Sequence, residues 1–282
     1  MVPMQRRTVQ LGLAAIACIA LLVDAIWFIA HAVRERTAAR LADAQAQEIV
    51  ALLGLADTAD FHQRLDTVRA FINDHSQHKI DAAFWKSHGV MGAFAAGVMA
   101  HARQPSTERI HMECSTRTNL MGRIVQALGY QTRVVSIFDS HTNLSSHTFL
   151  DVMNPETRRW ETEDADYDIY WRRTQSKERV SLADLAEDIQ GIEPCGRQGC
   201  GWDAASREGI KANRLKAYLD IVSVTDKGRD IRYALYTSRA NLDATYSKGG
   251  KRGRFCEVEA KRCRNGFHDL RAFDPYATAA AP

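Results

Sequence analysis

Residues 112–138, MECSTRTNLMGRIVQALGYQTRVVSIF, decide the fold. From Ser115 to Leu128 the apolar residues Leu120, Met121, Ile124 and Leu128 recur at helical spacing, and Gly129 stands where a residue after a helix C-cap is expected. Thr132 to Phe138 is then rich in β-branched residues, which favour a strand. Residues 147–164, HTFLDVMNPETRRWETED, continue the pattern. His147 to Met153 alternates between two faces, Asn154-Pro155-Glu156-Thr157 has turn chemistry, and Arg158 to Glu163 returns as a strand. The order helix, strand, strand, hairpin return predicts an α+β fold.

Working outward, Glu35 to Ala56 and Asp60 to His75 read as amphipathic helices, and Gly89 to Arg103 as a small-residue helix ended by Pro105. After Asp168, a short helix is expected over Ser181 to Gln190, followed by a loop around Cys195 and Cys200. A hairpin is expected over Tyr218–Val224 and Asp230–Thr237 around Asp226-Lys227-Gly228, then a strand over Arg254–Ala260. No internal repeat is visible.

The chemistry concentrates in the same central stretch. A thiol is a useful nucleophile only as thiolate, and a helix start favours that form with unpaired N–H groups and the positive dipole end. Cys114 occupies such a start, and the same N–H groups could hold the oxyanion of a tetrahedral intermediate. The thiolate needs an imidazole to accept and return a proton, and the imidazole needs an acceptor that fixes its tautomer. His147, opening one strand, and Asp164, on the returning strand, suit these roles. Trp160, Thr162 and Asp164 share one face of that strand. His141 is the rival base and Asp166 the rival orienter. Taken singly, a cysteine is a small buried hydrophobe, a histidine a satisfied polar group and an aspartate a turn former. Their joint register is what argues for catalysis.

These residues resemble the transglutaminase-like superfamily, with its papain-like cysteine core, over about Cys114 to Asp166. The matching features are Cys114 at a helix start, Gly129 followed by Arg133, the strand His147-Thr-Phe-Leu-Asp-Val, and Trp160 four residues before Asp164. Glu113 stands where small residues are common in the family, and Ala165 where proline is frequent. The resemblance implies a Cys-His-Asp triad of Cys114, His147 and Asp164, and thioester acyl transfer from a peptide or protein substrate to water or an amine. It implies no metal or organic cofactor. A catalytically inactive module binding a peptide or surface polysaccharide is the alternative, and a redox sensor using Cys114 is a third.

Bulk composition is that of an ordinary globular protein: 282 residues, 45% hydrophobic, 25% charged. The net charge of +3 is too small to specify a nucleic-acid partner. A local basic excess, including Lys248, Lys251, Arg252 and Arg254, reads as a solvated loop, with contact to an anionic glycan or lipid as the lesser reading.

Arg6 and Arg7 precede an apolar run, Leu11 to Val23, then Asp24 and Ala25 to Ala30. Residues 9–30 are long enough to span a bilayer as a helix, which predicts a single-pass anchor in a bacterial inner membrane with the soluble part in the periplasm. A cleaved signal peptide, leaving a secreted or periplasmic protein, is the alternative. Of six cysteines, Cys18 lies in that run. Cys195, Cys200, Cys256 and Cys263 are the disulfide candidates, which leaves Cys114 as a free thiol. The expected organisation is a signal anchor or signal peptide over 1–32, a helical region over 33–104, the catalytic core over 105–185 and a cysteine-containing α+β extension over 186–282.

Overall fold

The computed structural model describes residues 3–90, 92–138, 146–187, 189–197, 199–201, 221–226, 229–235 and 268–269. The protein mixes helix and sheet, as an α+β reading requires. A long helix, α1 (Pro3–Leu52), leads to α2 (Phe61–His75), strand β1 (Ser76–His78), α3 (Ala82–His88), α4 (Ala93–Arg103) and β2 (Ile110–Met112). Then come α5 (Cys114–Ala127), β3 (Thr132–Phe138), β4 (Ser146–Met153), β5 (Trp160–Asp164), β6 (Ile169–Arg173), α6 (Leu182–Glu187), β7 (Ile192–Gly196) and β8 (Gly199–Cys200). The hairpin β9 (Ile221–Asp226) and β10 (Arg229–Leu235) and a short β11 (His268–Asp269) complete the described elements.

The large sheet has the order β11-β10-β9-β3-β4-β5-β6-β7-β8 and is antiparallel except where β10 meets β11. β4 therefore lies near its middle, with Ile137 of β3 opposite His147 and Glu163 of β5 opposite Leu150. β1 and β2 form a separate parallel pair in which His78 stands opposite Met112.

Helix α5 is buried because its apolar stripe matches the helical period. Leu120, Met121, Ile124 and Val125 are inaccessible or nearly so, and join Ile49 of α1, Leu65, Val68 and Ile72 of α2, Val98 of α4, and Leu150 and Val152 of β4 in one core. Gly122 lets α5 approach the sheet closely, since a Cβ there would sit 3.1 Å from Leu150 Cδ1. On the opposite sheet face a second apolar group includes Phe149 and Trp171, with ring centroids 6.3 Å apart.

Expected and observed elements differ where distant contacts decide. The helix expected over Gly89–Arg103 begins only at Ala93, because Gly92 takes φ +73° and breaks the chain direction. A separate turn of helix, α3, precedes it, capped by Asp81, whose carboxylate accepts from Ala83 N and Phe84 N. The loop expected around Cys195 and Cys200 is the β7–β8 hairpin, which extends the sheet beyond β6. Cys195 and Cys200 form a disulfide across it. Cys256, Cys263, the strand expected over Arg254–Ala260, His141 and the basic group of Lys248, Lys251, Arg252 and Arg254 lie outside the described residues.

The expected inner-membrane location is overturned: among the described residues no helix is long and apolar enough to cross a membrane. Leu21, Leu22, Val23, Ile26, Trp27, Phe28 and Ile29 are exposed on α1. Asp24 interrupts this run, and Arg34, Arg36 and Arg40 follow. No described segment carries the periplasmic alternative.

Because Ile124 is fully buried between the helices and the sheet, Ile124→Ala is expected to lower stability by about 2–5 kcal/mol. Urea unfolding followed by far-ultraviolet circular dichroism checks this; a loss below about 0.5 kcal/mol would mean that α5 is not packed as described.

Candidate active site

Cys114 is the first residue of α5, preceded by Glu113 in an extended conformation. The start of the helix is fixed locally: Glu113 N donates to Thr116 Oγ1 at 2.9 Å, and Ser115 Oγ donates to Glu113 Oε1 at 2.5 Å. Glu113 thus serves as the cap. The thiol is free, partly buried, and lies 4.0 Å from Thr148 Oγ1. Thr118 Oγ1 donates to Thr148 O at 2.9 Å, so the first turns of α5 are bonded to the β4 residue that follows His147.

His147 is the second residue of β4 and Asp164 the last of β5. Both are buried, and His147 Nε2 lies 2.8 Å from Asp164 Oδ2. The other oxygen, Asp164 Oδ1, accepts from the backbone N–H of Asp166 at 2.9 Å and of Tyr167 at 3.2 Å. These donors satisfy the carboxylate and leave it an acceptor toward the imidazole. With Nε2 so engaged, Nδ1 is the ring atom available to the thiol. Phe149 and Tyr167 enclose the imidazole, with centroids 4.8 and 5.2 Å away. By strand alternation His147 belongs to the sheet face opposite α5, but it lies where β4 begins and Cys114 lies where α5 begins, so the two can meet at the ends of their elements.

The electrostatics favour an imidazolium. Burial pulls the His147 pKa down, but the charge and hydrogen bond of Asp164, joined by hydrogen bonding and charge from Cys114, hold it well above its ordinary value. Arg133 and Trp160 serve as supports. The guanidinium bonds Asp151 through Nε at 2.9 Å and Nη2 at 2.7 Å and stacks on Trp160 at 4.3 Å. Asp151 in turn accepts from Thr162 Oγ1 at 2.6 Å, which ties β3, β4 and β5 together beside the pair.

Asp166, the rival orienter, does not bond His147. Its carboxylate meets His78 Nδ1 at 2.7 and 2.9 Å and Arg117 Nη1 at 3.1 Å, and its carbonyl accepts from Arg117 at 2.8 Å and Asn73 Nδ2 at 3.0 Å. Burial pushes the Asp166 pKa up, yet His78 and Arg117 outweigh it and hold it below the ordinary value. Burial lowers the Arg117 pKa against the pull of Asp166 and Asp164. The sequence reading missed His78 and Arg117. The spacing of Arg117, three residues after Cys114 on the same helix face, was the available signal for one of them.

For metals, the described residues offer one grouping, Glu193, Cys195 and Cys200. The two sulfurs are bonded to each other and the carboxylate is held by Arg172 and Lys177, so it supplies no thiolate ligand. No protein-family model, curated protein or solved structure matches the chain.

The raised pKa of His147 has a sign that can be tested. A group more basic when folded contributes stability that is fully present below its unfolded value of 6.5 and is lost as pH rises through the folded value. The stability difference between wild type and His147→Gln, from urea unfolding at pH 6 to 9, is expected to shrink as pH rises; a constant or growing gap would show that the imidazole is not held as a cation.

Proposed function

We propose that the chain is a transglutaminase-like cysteine enzyme that forms a thioester on Cys114 with a peptide or protein substrate and passes the acyl group to water or an amine. The observation that carries this reading is the 2.8 Å contact of His147 Nε2 with a buried Asp164, which leaves Nδ1 for a thiol at a helix start. Cys114 sulfur attacks the acyl carbon, the C–N bond breaks, and the leaving amine takes its proton from the His147 imidazolium. Water or an amine then attacks the thioester, gives a proton to Nδ1, and the C–S bond breaks to restore the thiolate. Asp164 holds the tautomer and stabilises the cation without itself taking the proton. Unpaired N–H groups in the first turn of α5 are suited to the oxyanion.

The full-length chain alkylated with iodoacetamide from pH 4 to 9 tests the assignment. Cys114, located by peptide mapping, is expected to react well below pH 7 in the wild type. In His147→Ala its profile should move toward that of an ordinary thiol, near 8.5, with at least a tenfold lower rate at pH 6. Asp164→Asn should fall between the two. Identical profiles in wild type and His147→Ala would remove the catalytic assignment and leave a non-catalytic peptide-binding module in its place.

A further inference from the structure

Beside the His147–Asp164 pair the protein holds a second histidine–aspartate pair, His78–Asp166, whose members are displaced by two residues from parts of the site. Asp166 follows Asp164 by two residues, and His78 stands opposite Met112, two residues before Cys114. Lys79 N donates to Met112 O at 3.0 Å, and Glu113 continues extended, so β1 runs beside the chain that delivers the thiol. Two extended residues span about 7 Å, which is two residue positions along an extended bound peptide.

The pair is unequally buried: the Asp166 side chain is 2% exposed and that of His78 49%. Holding a half-exposed imidazole contributes little stability, so orientation is the effect with consequence. Arg117, from α5, also bonds Asp166 Oδ1, at 3.1 Å, and Lys79, the next residue after His78, has its ammonium on Asp81 at 2.9 Å. An ionised carboxylate only accepts hydrogen bonds, so the shared proton resides on His78 Nδ1. In a neutral imidazole that tautomer leaves Nε2 as the acceptor, and among the described residues Nε2 has no protein partner.

We propose that His78 is a further substrate-contacting residue, whose Nε2 accepts a hydrogen bond from a backbone N–H of a peptide bound at Cys114. The inference rests on the thiol reading above and deepens it: the substrate is recognised through its main chain, by a residue that takes no part in bond making. Asp166 and Arg117 act through His78 as positioning residues.

The test uses the full-length chain and three alkylating probes at one pH. These are iodoacetamide, benzyloxycarbonyl-Ala-Ala chloromethyl ketone, and the same peptidyl ketone with both backbone nitrogens methylated. The quantity read is each peptidyl rate at Cys114 divided by the iodoacetamide rate of the same protein. His78→Ala is expected to lower the ratio for the unmethylated probe by about 2- to 10-fold, the effect of one hydrogen bond. The methylated probe should already be slower in wild type and lose nothing further in His78→Ala. His78→Gln, which keeps an acceptor, should recover part of the loss. An unchanged ratio in His78→Ala, an equal loss for both peptidyl probes, or a peptidyl probe no faster than iodoacetamide in wild type overturns the contact. A Cys114 inert to iodoacetamide is a different result: it removes the thiol reading itself, and the contact with it.

Discussion

The strand β5 after Trp160 is buried at every residue, and three of those four residues are carboxylates: Glu161, Glu163 and Asp164. Burying an unpaired carboxylate costs several kcal/mol, so the strand can sit inside the protein only if each acid meets donors. Glu161 meets His62 Nε2 at 2.7 Å and Asn154 Nδ2 at 2.7 Å. Glu163 lies between the guanidinium groups of Arg69 and Arg179, both beside the Tyr170 ring, and Asp164 meets His147. Alternation along the strand sends Glu161 and Glu163 toward α2 and Asp164 toward the imidazole. The requirement that anchors the helices to the sheet is therefore the same one that assembles the site.

This arrangement makes the site depend on helix–sheet docking rather than on any single loop. Arg69 also reaches Asp168 Oδ1 at 3.1 Å and Asp66 at 2.9 Å, and Arg197 bonds Asp74 at 2.7 and 2.8 Å and Asp168 on the other side. The turn after β5, residues 165–168, is thus held by arginines from α2, α5 and the end of β7, while its N–H groups hold Asp164. A displacement of α2 would be transmitted through this turn to the orientation of the imidazole. The thiol is fixed separately, by the cap at Glu113 and the Thr118–Thr148 bond.

The central unit was legible because its signals are local. The stripe Leu120, Met121, Ile124, the C-terminal Gly129 with φ +89°, and the alternation after His147 each act within one element, and α5, β3, β4 and β5 fall within a few residues of their expected bounds. The same locality brings His147 and Asp164 together. What escaped the sequence depends on partners far along the chain. β6 and β7 are strands because they complete a sheet, and β7 does so although Pro194, which disfavours a strand interior, lies within it. Asp166 could be named as a rival for His147, but nothing nearby says that it would be claimed by His78 and Arg117. The apolar N-terminal run misled in the opposite way: composition suggested a membrane span, whereas among the described residues no helix is long and apolar enough to cross a membrane.

The two histidine–aspartate pairs differ in the length of chain each one closes. His147 and Asp164 are 17 residues apart, while His78 and Asp166 are 88 apart. Loop-closure entropy grows with the logarithm of that separation, which makes the longer closure costlier by about 1.5 kcal/mol. Arg69 and Glu163, 94 apart, close a loop of similar length. Contacts of high sequence separation are the slow part of folding. The hairpin that carries His147 and Asp164 can therefore form early, and the His78–Asp166 contact is completed only when α2 and β1 dock, so the two pairs are assembled at different moments of folding.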